Sequence, residues 1–69
     1  MTIRLGTVAR FDAHVGLGEI EEATGTRFPF HCTAITDGTR TIDQGRSVGF
    51  LVGPGGPGVW EAVSVVPLN

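Results

Sequence analysis

The sequence predicts an all-β domain of five short antiparallel strands rolled into a small barrel, and three observations predict it. Valine, threonine and phenylalanine recur in short alternating runs, the pattern of strands with one face in a core and the other in water. Eleven glycines and four prolines punctuate those runs, which favours frequent turns over long helices. Sixty-nine residues suffice for one core, so residues 1–69 are expected to form a single domain. Five strands in so short a chain bury a core poorly as a flat sheet with two raw edges, and a closed or nearly closed barrel is expected.

The first strand is expected over residues 3–11, with Gly6 marking a bulge or a close backbone approach. Residues 12–16 connect it to a second strand over 17–22, and residues 23–27 read as a hairpin turn in which Gly25 takes positive φ. The third strand, 28–32, contains Pro29, which lacks an N–H and belongs on an edge or a barrel rim. Residues 33–35 suit one tight helical turn, and a polar excursion over 36–45 follows, a length at which loops often carry binding residues. Val48, Phe50 and Val52 share a face of the fourth strand, 46–52. The Gly/Pro run 53–58 reads entirely as turn, and the fifth strand, 59–66, ends at Pro67. In that last strand both alternating sets contain apolar residues, and neither stands out as the core set.

Five arginines, no lysine and seven carboxylates leave a net charge of −2, so the average field does not steer the chain towards phosphates. The single Cys32 has no disulfide partner and lies in an apolar alternating run, as a buried small hydrophobe would. No apolar run reaches signal-peptide or membrane-span length, so no membrane association is expected and a cytoplasmic location is the simplest assumption. Glu19, Glu21 and Glu22 are not accompanied by the histidines, nucleophile or ligand spacing of a catalytic or metal site. Neither enzymatic activity nor a metal or other cofactor is expected.

Several segments, in the right order and with the right gaps, resemble the cold-shock domain family. They are Gly6-Thr7-Val8-Ala9-Arg10-Phe11-Asp12, Gly16-Leu17-Gly18-Glu19-Ile20, Phe28-Pro29-Phe30-His31-Cys32-Thr33-Ala34-Ile35, Gly45-Arg46-Ser47-Val48-Gly49-Phe50, and Gly56-Pro57 before the last strand. The resemblance implies a five-stranded antiparallel OB-type barrel that binds single-stranded RNA or DNA, stacking bases on aromatic side chains of the first three strands. It also implies which positions would form that face. Arg10 stands where the family has a tryptophan, Leu17 and Glu19 where it has two stacking phenylalanines, and Pro29 and Cys32 where it has two more. Thr39 stands where the long loop has an aromatic.

What remains of the face is Phe11 and His31, with Arg10, Arg27 and Arg40 as cations, and Leu17 is a further candidate contact. A stacking platform contributes roughly 1–3 kcal/mol per base, so losing several of them lowers affinity about a thousandfold. The expected function is therefore weak or retuned single-strand binding, in the manner of an RNA chaperone or expression regulator. The alternative is a protein-interaction module, or a homodimer, on a barrel that has lost nucleic-acid binding. Arg10 either stacks on a base or takes a phosphate, or it pairs with Glu19 across the first two strands. Trp60 either fills the core or stands exposed as a partner-binding residue or a relocated base platform.

Overall fold

A computed structural model of the chain describes residues 2–68. Five strands, β1 (Arg4–Asp12), β2 (Leu17–Glu22), β3 (Arg27–His31), β4 (Ser47–Gly56) and β5 (Val59–Pro67), form one antiparallel sheet in the order β3-β2-β1-β4-β5. A single 3₁₀ turn, Cys32–Ala34, follows β3. Ten side chains form the core: Val8, Ile20, Phe28, Phe30, Ile35, Ile42, Val48, Phe50, Ala62 and Val65. They come from all five strands and from the connection before β4, and each such burial contributes roughly 1.5–3 kcal/mol for the larger side chains.

The expected barrel does not close. β3 and β5 are the two ends of the sheet, and among the described residues no ladder joins them. An open sheet is tolerated because the outer edge of β3 carries its own protection. The bonds Glu22 N to Thr26 O, 2.9 Å, and Cys32 N to Gly16 O, 2.8 Å, make the even-numbered residues of β3 the ones bonded to β2. Arg27, Pro29 and His31 therefore turn their main-chain groups outward, and at the middle position proline has no hydrogen to donate. An isolated parallel bridge, Ile35 to Val65, with Thr36 N donating to Val65 O at 2.9 Å, spans the gap just beyond β3. The sheet curls over its core through side chains, and the proline and short length of β3 blunt that edge in place of closure.

Two irregularities decide which residues face inward. The β1–β2 register shifts between Val8 and Arg10, so the extra residue is Ala9 and not Gly6. Gly6 is instead the expected close approach: a Cβ there would sit 2.7 Å from the Glu21 carbonyl oxygen. The bulge brings Val8 and Phe11, three residues apart, to the core side and leaves Arg10 outside. In β5 the register shifts opposite Leu51 and Val52, leaving Val63 unmatched, so Ala62 and Val65 both reach the core. That is why neither alternating set in β5 read as the core.

Three other expectations need correction. Residues 53–56 are strand, paired as Gly53–Glu61, Pro54–Trp60 and Gly56–Val59, and the turn contracts to Pro57 and Gly58. Cross-strand pairing overrides the turn preference of glycine and proline there. Cys32 begins the 3₁₀ turn and is half-buried, not part of β3's buried set. The polar excursion also contains a core residue, Ile42, which pins the connection to the sheet.

Candidate nucleic-acid interface

The ladders of β1, β2 and β3 align three outward rows across the sheet. Thr7, Glu21 and Arg27 form one; Arg10, Glu19 and Pro29 the next; Asp12, Leu17 and His31 the third. Alternation places these rows opposite Val8, Ile20, Phe28 and Phe30, so the core fixes their orientation. Gly18 lets the layers approach, because a Cβ on it would lie 2.7 Å from both the Arg10 carbonyl oxygen and the Phe30 ring.

Electrostatics on this face are nearly self-contained. Arg10 Nε lies 3.0 Å from Glu19 Oε1, and Arg27 lies 3.5 Å from Glu19 and 3.0 Å from Glu21. The hydrogen bond from Arg10, opposed by partial desolvation and supported by the charges of Arg10 and Arg27, holds the Glu19 carboxyl below the usual carboxylate range. The pairing of Arg10 with Glu19 is thus the arrangement present. Each cation already has an anionic neighbour that an incoming phosphate must displace. Such exposed pairs are individually weak, so displacement is cheap, yet the carboxylates remain beside the ligand.

His31 is held more firmly. Thr33 N donates to its Nδ1 at 3.2 Å, and the Thr33 hydroxyl lies 2.9 Å from the same atom, as His31 caps the 3₁₀ turn. With Nδ1 accepting, the neutral ring carries its proton on Nε2, which remains a donor. A shallow hollow joins Arg10, Leu17, Glu19, Pro29 and His31, and Glu61 of β5 closes one side of it. Glu61 had no signal in the sequence, because it enters the site through the curl of the sheet.

The structure gathers Arg10, Leu17, Arg27 and His31 on one face but not every residue expected there. Phe11 lies on the core side, half-buried and stacked on Phe30 with ring centroids 5.8 Å apart and an interplanar angle of 11°. The bulge at Ala9 is what turns it away from the face. Arg40 lies outside the three rows, in the connection before β4, exposed and with φ of 59°; it makes no ion pair or hydrogen bond among the described residues. Trp60 is 62% exposed opposite Pro54 near the end of the β4–β5 hairpin, which excludes the core-filling role. Among the described residues no group of three or more His, Cys, Asp or Glu side chains could hold a metal ion, and no helix is long and apolar enough to cross a membrane.

This sheet order with an outward β1–β3 face defines a cold-shock-type β domain, and comparison with known proteins agrees. The chain is 40% identical over 58 residues to the cold shock protein CspC of Bacillus subtilis strain 168, a match covering 83% of this chain and 88% of that protein. The chain belongs to the cold-shock protein family, as a divergent member. Among solved structures it is similar to drosophila Unr CSD456, with a TM-score of 0.77 and 25% identity over 99% of this chain. It spans 27% of the length of that chain. No family model matches the sequence.

Proposed function

We propose that the outer face of β1–β3 binds single-stranded RNA or DNA weakly, in the manner of a cytoplasmic RNA chaperone or expression regulator. The observation that carries this reading is the Arg10-Leu17-His31 cluster. It combines a guanidinium, an apolar floor shared with Pro29, and an imidazole fixed by Thr33 around one hollow. A base can pack over Leu17 and Pro29 against the His31 ring while its phosphate reaches Arg10. With Arg10 and Arg27 as the cations of the face, one or two phosphates are neutralised, and the affinity should fall with salt at a log–log slope of about −0.7 to −1.4.

Titration of fluorescent single-stranded hexamers and longer mixed-sequence DNA and RNA at two salt concentrations tests this. Micromolar binding with that shallow slope, weakened by Arg10→Ala and by His31→Ala, supports it. A folded protein that binds nothing at low salt overturns it. A second reading, a protein-interaction module, is favoured by Trp60, whose exposed indole on a projecting hairpin is the kind of side chain that anchors protein interfaces. Under that reading Trp60→Ala abolishes partner capture while the β1–β3 substitutions leave it intact.

A further inference from the structure

The opposite end of the sheet has an outer surface that the nucleic-acid reading does not use. Leu5, Gly49 and Val66 lie in register across β1, β4 and β5, with Leu51 and Ser64 paired on one side of that row and Thr7 and Ser47 on the other. Ile3 and Leu5 project from this surface, 70% and 67% exposed, and Val66 and Leu68 are exposed beside them. Together with Ile3 and Leu68 these side chains line an apolar hollow of about 230 Å³, floored by Gly49. No charged side chain lines it among the described residues.

We propose that this surface is a self-association face on which a second copy of the chain packs sheet against sheet, giving a reversible dimer. The argument is complementarity to itself. The face carries an exposed pair, Ile3 and Leu5, that forms one wall of the hollow floored by Gly49. Under a two-fold axis each copy's exposed pair packs against the other's hollow, and the two sheets stack at the usual spacing of about 10 Å. The hollow itself is uncharged and charge is kept to its rim, where Glu21 and Glu22 flank Leu5 and Thr7 and the Arg46 guanidinium donates to the Leu68 carbonyl.

Area bounds the contact. The apolar side chains expose roughly 500 Å², near the top of the range for the largest patch on a monomer. With Thr7 and Ser47 included, roughly 600 Å² per copy is available, the low end of specific interfaces. That area suits a reversible dimer.

Sedimentation velocity from about 10 µM to about 1 mM reads this directly. The weight-average mass should rise towards twice the monomer. Leu5→Lys and Val66→Lys should each weaken the dimer at least about tenfold with unchanged circular dichroism, since both positions are exposed in the monomer. Trp60→Ala should leave it unchanged. A monomer at the highest concentration overturns the proposal. A dimer that survives both lysine substitutions also overturns it and moves the contact elsewhere, for instance to the outer edge of β5. The Arg10–Leu17–His31 hollow lies elsewhere on the same outer surface, and only Thr7 borders both regions, so Leu5→Lys and Val66→Lys test the dimer without touching the residues that carry the nucleic-acid reading.

Discussion

Arg10 and Glu19 face each other across the β1–β2 ladder, with Nε 3.0 Å from Oε1, at the centre of the face where a nucleic-acid ligand would lie. The pair makes Glu19 a resident competitor for the cation a phosphate needs. Glu19→Gln leaves a neutral side chain of the same shape and frees Arg10, and Arg27 in part. Affinity for single strands should rise about threefold at low salt, with a steeper salt slope. Equal or weaker binding in the same titration would mean that the ligand does not meet Arg10.

The stacking surface is thin because Leu17, not an aromatic, occupies the third row between Asp12 and His31. Leu17 is half-exposed, so Leu17→Phe adds a ring without repacking the core. One base platform of roughly 1–3 kcal/mol should tighten binding about tenfold, while stability changes by less than about 0.5 kcal/mol. Fluorescence titration paired with urea unfolding checks both halves. An unchanged affinity would place the bases elsewhere.

The parts of the fold that were legible in the sequence are those where alternation runs undisturbed. β2 occupies the expected residues 17–22, and the inward Ile20, Phe28, Phe30, Val48 and Phe50 follow from parity alone. Parity fails wherever an extra residue enters a strand. The bulge at Ala9 moves Phe11 from the expected binding face to the core, and the one at Val63 mixes the two sets of β5. Closure is not legible for a different reason: raw edges favour it, but Pro29 already protects the edge of β3. Ile42 and Glu61 gave no local signal, because long-range packing, not spacing, brings them to the core and to the site.

Acid should weaken the fold in a defined direction. Glu19 is held below its ordinary range chiefly by the Arg10 hydrogen bond, and Asp37 chiefly by the Thr39 backbone N–H and then its hydroxyl. Both folded-state values lie under the unfolded ones. The stability they contribute is present in full above the ordinary carboxylate range and is lost as pH falls from about 5 through the folded-state values. Thermal melts between pH 7 and about pH 3 should show a falling midpoint, with a shallower fall in Glu19→Gln and in Asp37→Asn. A wild-type midpoint independent of pH over that window would contradict the assignment.

Gly18 ties the core to the face. It sits opposite Phe11 in β1 and Phe30 in β3, under the two stacked rings. A methyl group there meets the Phe30 ring and the Arg10 carbonyl, both at 2.7 Å, and the backbone contact has no side-chain escape. Gly18→Ala should cost about 1–3 kcal/mol in urea unfolding and should weaken binding more than stability alone explains, since the displaced strand carries Arg10. Gly25→Ala is the control for added side-chain bulk: a Cβ there meets nothing, so only the strain of its φ of 91° remains.

Pro29 is the test of why the sheet stays open. It is the middle residue of β3, exposed, with its nitrogen on the outer edge of the sheet. Pro29→Thr restores an N–H to that edge and, through the β-branched side chain, favours the extended backbone. Nothing in β5 is in register to receive the new donor, because the two strands share no ladder. The edge therefore becomes a template for another chain, and static light scattering on prolonged incubation should show aggregation several-fold faster than in the parent protein, at a melting temperature changed by only a few degrees. If the variant stays as soluble as the parent and instead gains a slowly exchanging amide at position 29, the sheet has closed, and the proline was what held it open.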